Sequence, residues 1–260
     1  MNWQAMSASI RHDGAARISS LPGKPLHPPT SGWTATSTLC SLLGGQGCYV
    51  DAMLPITQAV WRHLLHHARG GRRAWSSLRA LAGELELGVS TVHKSLAHPV
   101  EIGAVSVSRL GGVELLDPLR LLMLFAAARR LQRDVVTRRR AVPMPAPWLE
   151  RIALESGMIL GGCGAIAAHL GGNPVTSYST VVVYGDPDFG LELRPAHAGQ
   201  EPIELLILEP DRRLARYGEV VPFAQAYADV FCLPGWQAAR FIEELDLWTV
   251  VSTGERTIVA

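Results

Sequence analysis

One stretch of the chain, from Ser76 to Pro118, limits the possible folds more than any other. It begins with four apolar residues at helical spacing, which are Leu78, Leu81, Ala82 and Leu85. This spacing predicts a short amphipathic helix. Gly88 supplies a turn residue just past that helix, and Ser90 is placed to cap a second helix with its side-chain oxygen. The stretch therefore predicts two helices joined by a tight turn.

The second of these helices has a distinct apolar side and a distinct polar side. Val92 and Leu96 are four residues apart and are expected to face the core. The polar residues turned outward are then Thr91, His93, Lys94 and, near the end of the helix, His98. Pro99 lacks a backbone donor, so we expect the helix to be shortened or kinked there.

A β-hairpin pattern follows the second helix. Residues Ala104 to Arg109 alternate between apolar and polar, and Val113 to Leu116 can return as a second strand. Between them, Gly111 and Gly112 are typical of a two-residue hairpin turn. The pattern places Arg109 near the tip of the hairpin.

The order of two helices and a hairpin, with LAGELELGVSTVHKSL across the turn, resembles the winged-helix regulators of bacteria. That resemblance implies that Thr91, His93 and Lys94 contact base edges, and that Arg109 contacts the DNA backbone or minor groove. Ser90 would bond a phosphate as well as cap the helix. The alternative is that the winged helix docks a protein, since a fold does not fix a function.

The charge of the chain is divided unequally along its length. Residues 51–141 hold 14 Lys and Arg against 7 Asp and Glu, whereas residues 142–260 hold 7 against 15, although the whole chain carries only +1. A basic segment favours phosphate binding, and an acidic one favours a different partner. Further expected DNA contacts in the basic segment are Arg72, Arg73 and Arg79.

A second group of arginines lies on and after a predicted helix that starts at Asp117 and Pro118. These residues either contact the DNA backbone next to the main site or form a solvated helix face. The group consists of Arg129, Arg130, Arg133, Arg138, Arg139 and Arg140.

The length and composition predict two domains. We expect a disordered extension over 1–52, a winged helix-turn-helix over 53–118 whose first helix is capped by Thr57, a connecting helix and proline-rich linker over 119–147, and an α/β domain over 148–260. No apolar run is long enough to span a bilayer and no signal-peptide pattern is present, so we expect a cytoplasmic protein without a membrane partner.

The sequence also predicts that the chain binds no metal and no cofactor. Its four cysteines, Cys40, Cys48, Cys163 and Cys232, form no CxxC pair, which argues against a zinc framework and against disulfides. His63, His66 and His67 can share a helical face, but no cysteine or carboxylate set joins them in the sequence.

The segment GMILGGCGAIAAHLGGNPVTSYSTVVVYGD, residues 157–186, resembles the opening of a nucleotidyltransferase-like domain. In that superfamily the strand after the Gly-Gly helix carries paired carboxylates for two metal ions. Those positions fall on Ser179 and Val181, which cannot hold magnesium, so the resemblance implies a non-catalytic domain and a protein that is not an enzyme.

Two glycine-rich or acidic motifs in this segment have simple structural explanations. Asp186 and Asp188 flank a proline and are typical of a turn. The glycines of Gly161-Gly162-Cys163-Gly164 predict a tight strand-to-helix turn, with a phosphate site at the helix start as the alternative.

Residues 57–246 as a whole resemble AbiEi-type antitoxins and their stand-alone regulator relatives. The resemblance is carried by the winged-helix pattern, the LGGCGAIAAHLGG and VVVYGDPD segments, and a helix with Pro222, Gln225, Tyr227 and Asp229. It implies an α+β protein with an N-terminal winged helix-turn-helix and a C-terminal, non-catalytic, nucleotidyltransferase-like α/β domain.

The function that this resemblance implies is that of a transcriptional repressor that binds double-stranded DNA, often in its own promoter. One alternative is an antitoxin or interaction protein whose acidic C-terminal domain binds a toxin or another protein. The other is a nucleotidyltransferase enzyme that uses the winged helix to hold nucleic acid.

Overall fold

The structure is a computed structural model that describes residues 46–172, 175–188, 193–194 and 201–245, with side chains from residue 55 onward. It is a mixed α+β fold with two small sheets. The described residues from Cys48 onward form one compact unit, and a single cluster of buried apolar side chains extends through both sheets. Within the described residues, no helix has the length and apolar character needed to cross a membrane.

The first sheet has three short antiparallel strands in the order β1-β3-β2. The elements of this half are α1 (Gln46–Arg69), β1 (Ala74–Trp75), α2 (Leu78–Leu85), α3 (Val89–Glu101), β2 (Val105–Val107) and β3 (Val113–Leu115). The predicted two helices and two strands are confirmed. Sequence patterns missed β1, because a two-residue strand is too short to show alternation.

The second sheet has four strands in the order β4-β7-β6-β5, of which only β6 and β7 are parallel. Its half contains α4 (Pro118–Ala128), α5 (Leu131–Asp134), β4 (Val135–Ala141), α6 (Ala146–Glu155), β5 (Ile159–Gly161), α7 (Gly162–His169), β6 (Thr180–Tyr184), β7 (Ile203–Leu208), the 3-10 helix Leu214–Tyr217, α8 (Phe223–Phe231) and α9 (Trp236–Glu244).

The periodic patterns in the second half predicted its elements well. Apolar periodicity and turn residues predict helices at 147–156, 163–170, 222–232 and 235–245 and strands at 158–160, 180–184 and 203–208. All of them are confirmed, each bound within one residue. The same patterns predict strands at 191–194 and near 248–252. These two strands, and the predicted disordered extension as far as residue 45, lie wholly or mostly outside the described residues.

The predicted helix caps in the first half are wrong. Thr57 lies inside α1, where its hydroxyl is 3.4 Å from that of Ser95. Helix α2 ends at Leu85, its C-cap Glu86 adopts a left-handed conformation with φ 54°, and Gly88 is the N-cap of α3. Helix α3 thus starts at Val89, one residue after Gly88, and Ser90 lies in its first turn rather than at its cap.

The expected shortening of the helix at Pro99 is also wrong, since α3 continues to Glu101. In a helix the N–H of residue 99 would bond the carbonyl of Ser95, and proline has no such N–H. The indole Nε1 of Trp61 on α1 donates to this carbonyl at 2.8 Å. A tertiary hydrogen bond thus replaces the helical one.

This replacement gives a testable prediction. We expect Trp61→Phe to lower the free energy of unfolding by about 1 to 2 kcal/mol, because it leaves the buried Ser95 carbonyl without a donor. Urea titration followed by circular dichroism measures the change. In a Pro99→Ala background, residue 99 regains its N–H, so the same Trp61 substitution should cost less; an equal cost in both backgrounds would contradict the explanation.

The basic run Arg138–Arg140 lies after a helix and before the proline-rich segment, as expected, but the patterns did not predict that it forms a strand. The run lies on β4, which pairs with β7 in a register that places Arg139 opposite Leu205. Arginine stems can cover an apolar sheet while their charged heads reach water, so three consecutive arginines concealed the alternation of a strand.

Candidate functional site

Helix α3 presents the polar surface that the sequence predicted. Val92 and Leu96 are fully buried, and they fix the rotation of the helix about its axis. On the other side, Ser90, His93 and Lys94 are exposed, while Thr91 is half-buried. The outward face of α3 is therefore confirmed as an accessible polar surface.

The C-terminal end of α3 is held by a contact from α4 and by one within the helix. Gly88 caps the N-terminus with no side-chain hydrogen bond. At the other end, Arg120 of α4 donates from Nη1 to the carbonyl of Ile102 at 2.6 Å, and His98 contacts Glu101 at 3.1 Å. A cation on the terminal carbonyls of a helix stabilises it.

The hairpin between β2 and β3 has a longer turn than predicted. Ser108 N–H donates to the Gly112 carbonyl at 2.8 Å, and Gly112 N–H donates to Ser108 Oγ at 2.9 Å. Of the two glycines in the turn, only Gly111 has a positive φ, of 83°, so the loop has three residues rather than two. Arg109 is exposed at its tip, next to Leu110, which is 95% exposed.

The other arginines predicted near α3 have different surroundings. Arg79 is exposed on α2. Arg72 is also exposed, but its guanidinium lies 4.9 Å from the ring centroid of Trp75 and forms an ion pair with Glu84 at 2.6 Å. Arg73 is half-buried, and its backbone carbonyl accepts from Leu115 N–H at 2.7 Å.

Glu84 is the centre of a hydrogen-bond network that joins α1, β1 and α2. Its carboxylate accepts from Arg72, from Trp75 Nε1 at 3.0 Å and from His63 Nε2 at 3.0 Å. Burial raises the pKa of Glu84, but these hydrogen bonds outweigh that effect and lower it to about 2. Burial lowers the pKa of His63 to about 4, against the opposing hydrogen bond to Glu84.

The same network contains a group of potential metal ligands. Ligand atoms of His63, His67 and Glu84 lie within 4.8 Å of one another. The sequence placed no carboxylate beside these histidines, because Glu84 lies on another helix. Arg72, Trp75 and His63 already bond this carboxylate, so a cation would have to displace the Arg72 guanidinium. The contacts among the described residues are explained by a structural role.

The second arginine group does not form one phosphate-binding surface. The prediction is wrong for Arg129, which is buried and bonded to Asp229 from Nε at 2.9 Å, to Tyr184 OH from Nη2 at 3.1 Å and to Asp134. Arg138 and Arg140 both lie near Glu204, at 3.5 and 3.2 Å. Arg139 is half-buried on β4, and Arg130 and Arg133 are exposed.

Arg129 belongs to a buried polar cluster with Tyr184, Gln225 and Asp229. Tyr184 OH donates to Asp229, from whose Oδ1 and Oδ2 it lies 2.9 and 2.8 Å, and Gln225 Nε2 donates to Oδ1 at 2.9 Å. Arg62 of α1 extends the cluster by donating from Nη1 to Gln225 Oε1 at 3.2 Å. The polar residues of the α8 motif therefore connect the second sheet to α1 and to the end of α4.

The segment after β7 contacts the end of α2. Arg213 Nε donates to the Leu85 carbonyl at 2.6 Å, and Arg216 Nη1 donates to the Glu84 carbonyl at 2.5 Å. Cations are favoured at this end of a helix. Sequence reasoning missed both arginines because their partners lie more than 120 residues earlier.

The glycine turn before α7 serves close packing, as predicted. A Cβ on Gly161 would lie 2.9 Å from Tyr184 Cε2, and one on Gly162, whose φ is 54°, would lie 2.8 Å from Val182 Cγ2. The start of α7 is buried, which leaves no room for a phosphate there. Asp186 Oδ1 accepts from Asp188 N–H at 2.9 Å, which is turn geometry.

The positions where a nucleotidyltransferase would carry carboxylates also differ from each other in exposure. Val181 is buried in β6, and Ser179 is exposed just before it. Neither offers a carboxylate.

Comparison of the chain with protein-family models, with curated proteins and with solved structures finds no match.

Proposed function

We propose that the protein is a sequence-specific, cytoplasmic DNA-binding regulator of transcription that acts as a repressor. The observation that carries the proposal is the outward face of α3, where Ser90, His93 and Lys94 are accessible while Val92 and Leu96 anchor the helix. A helix presented in this way by a preceding helix and a following hairpin suits the DNA major groove.

The proposed contacts divide into base and phosphate contacts. Thr91, His93 and Lys94 offer donors or acceptors to base edges. Ser90, in the uncapped first turn of α3, suits a phosphate, because helix N-termini favour anions. Arg109, at the exposed tip of a three-residue loop, suits the DNA backbone or minor groove next to the helix.

A non-enzymatic role is part of the proposal. The positions that correspond to the metal-binding carboxylates of nucleotidyltransferases hold Ser179 and Val181, and Asp186 is engaged in a turn. We assign the second half a supporting role, in which Arg213 and Arg216 hold the end of α2 and so fix the helix that precedes α3.

The proposal predicts the effect of one substitution on DNA affinity. Lys94→Ala should weaken binding to the DNA upstream of the gene about tenfold and reduce the salt slope by about one, because one cation no longer displaces counterions. Fluorescence anisotropy at two salt concentrations, with a scrambled duplex for comparison, measures both quantities.

Arg151→Gln is a matched control for this test. Arg151 is an exposed cation on α6 that pairs with Glu155, and it lies outside the proposed interface. Its removal should leave affinity unchanged within about twofold. Equal binding of the wild-type protein to upstream and scrambled DNA would contradict the proposed function, and an unaltered slope for Lys94→Ala would contradict the assignment of α3.

A further inference from the structure

A cavity of about 570 Å³ opens where the two parallel strands of the second sheet end. Tyr184 and Leu208 are the last residues of β6 and β7, and both line it. Ligands of sheets with parallel strands bind outside the carboxyl ends of those strands. The volume falls in the range of small-molecule sites, roughly 300 to 1,000 Å³.

The lining of the cavity carries more positive than negative charge. Five guanidinium groups line it against three carboxylates. Two of these carboxylates, Asp134 and Asp211, already pair with Arg129 and Arg62. Arg213 bonds only neutral backbone carbonyls in its described hydrogen bonds, so its charge is not compensated there. With Glu209 as the third lining carboxylate and Asp229 paired to Arg129 behind the lining, five guanidinium groups stand against four carboxylates, and this small positive excess favours an anion.

One donor in the lining is left unused. The Arg62 side chain is 95% buried, since only 5% of it is exposed, and its Nη1 and Nη2 donate to Gln225 and Asp211. Its Nε is buried and has no hydrogen-bond partner among the described residues. A buried N–H without an acceptor is costly, so this donor would gain a partner from a ligand oxygen that draws the Arg62 side chain toward the cavity.

The cavity is also connected to the helix that precedes α3. The segment from Pro210 to Arg213 forms part of its lining, and Arg213 bonds the carbonyls of Leu85 and Glu86 at the end of α2. A ligand that draws the Arg213 guanidinium toward the cavity must weaken these bonds. Occupancy of the cavity would then change how α2 and α3 are held.

We propose that this cavity binds a small organic anion through a phosphate or carboxylate group and that its occupancy changes the affinity of α3 for DNA. Arg62 Nε and the exposed Arg212 supply donors to the anion, and guanidinium groups suit both phosphate and carboxylate oxygens. The second part of this proposal rests on the proposed function, whereas anion binding does not.

Calorimetry with the full chain tests anion binding without DNA, with pyrophosphate and citrate as the two probes. We expect saturable binding of at least one probe with a Kd of about 1 mM or tighter. Preference for pyrophosphate identifies a phosphate ligand and preference for citrate a carboxylate ligand.

Arg212→Gln and Arg62→Lys should each weaken binding at least tenfold, and Arg62→Lys keeps the charge beside Asp211 while it removes Nε. Arg151→Gln, an exposed cation outside the cavity, should change the Kd less than twofold.

The outcomes separate the cavity from the proposed DNA function. Absence of saturable binding for both probes, or an unchanged Kd in both cavity variants, overturns the proposed site. Loss of probe binding in Lys94→Ala would place the anion on α3 and overturn it as well. Anisotropy with upstream DNA, with and without the bound probe, should show at least a threefold change in affinity, and an unchanged affinity overturns the regulatory part. Probe binding in a protein that does not discriminate between DNA sequences would support the cavity and contradict the proposed function.

Discussion

Asp229→Ala is expected to lower the free energy of unfolding by about 3 to 5 kcal/mol, because it leaves the buried guanidinium of Arg129 without its main counter-ion. Asp229 is fully buried, and Arg129 Nε donates to it at 2.9 Å. The substitution also removes acceptors from Tyr184 and Gln225. Because an arginine side chain is not deprotonated in proteins, the guanidinium stays charged in the variant and cannot escape the penalty by losing a proton.

Urea unfolding followed by circular dichroism measures this effect. Two further variants provide a control and a test of coupling between Asp229 and Arg129. Asp186→Ala removes an exposed carboxylate from a turn and should change stability by less than about 1 kcal/mol. Replacing both ion partners, with Arg129→Met and Asp229→Ala together, should cost less than the sum of the two single changes, because no unpaired charge remains. Additive costs in this cycle would show that the two residues are not coupled.

Mild acid is expected to destabilise the protein through His63. Burial lowers the pKa of this imidazole from 6.5 to about 4, so between these values the unfolded chain binds a proton that the folded chain excludes. Stability is therefore fully present above pH 6.5 and is lost as the pH falls toward 4, by about 2 to 3 kcal/mol in total. Glu84, whose pKa is lowered to about 2, keeps its contribution above pH 4.5.

The comparison of variants isolates His63 from the other titrating groups. Burial also lowers the pKa of His66 and His67, whereas burial raises that of Glu150, which acts in the opposite direction. His63→Gln keeps a donor for Glu84 without titrating. Urea midpoints at pH 7.5 and pH 5 should therefore differ less in His63→Gln than in the wild type, while His93→Gln, an exposed change on α3, should preserve the wild-type difference. The same pH dependence in His63→Gln as in the wild type would argue against this origin.

Local patterns predicted most of the secondary structure because the groups involved are close in sequence. Helix α2 buries one face, which is marked by the helical spacing of Leu81, Ala82 and Leu85. Strand β6 buries both faces, which is why residues 181–184 form an unbroken apolar run. The adjacent residues Asp117 and Pro118 predicted the start of α4: Asp117 caps the helix with its side chain, and Pro118 occupies the first turn. The outward face of α3 followed from the same periodicity.

The partners of buried polar groups could not be predicted in this way. Whether Pro99 interrupts α3 depends on Trp61, and whether Arg129 is available to DNA depends on Asp229, 100 residues later. Strand β4 is defined by its pairing with β7, more than 60 residues away, and its arginines concealed its alternation. The cavity likewise combines Arg62 of α1 with Arg212 and Arg213.

The sequence by itself determined most of the helices and strands and which side of α3 is polar, because apolar periodicity acts between neighbours along the chain. The tertiary structure alone decided which arginines are accessible and which are neutralised, how α3 passes Pro99, and where the cavity opens. These properties depend on which distant segments meet, since a buried donor or charge is stable only beside a partner that the local sequence does not contain.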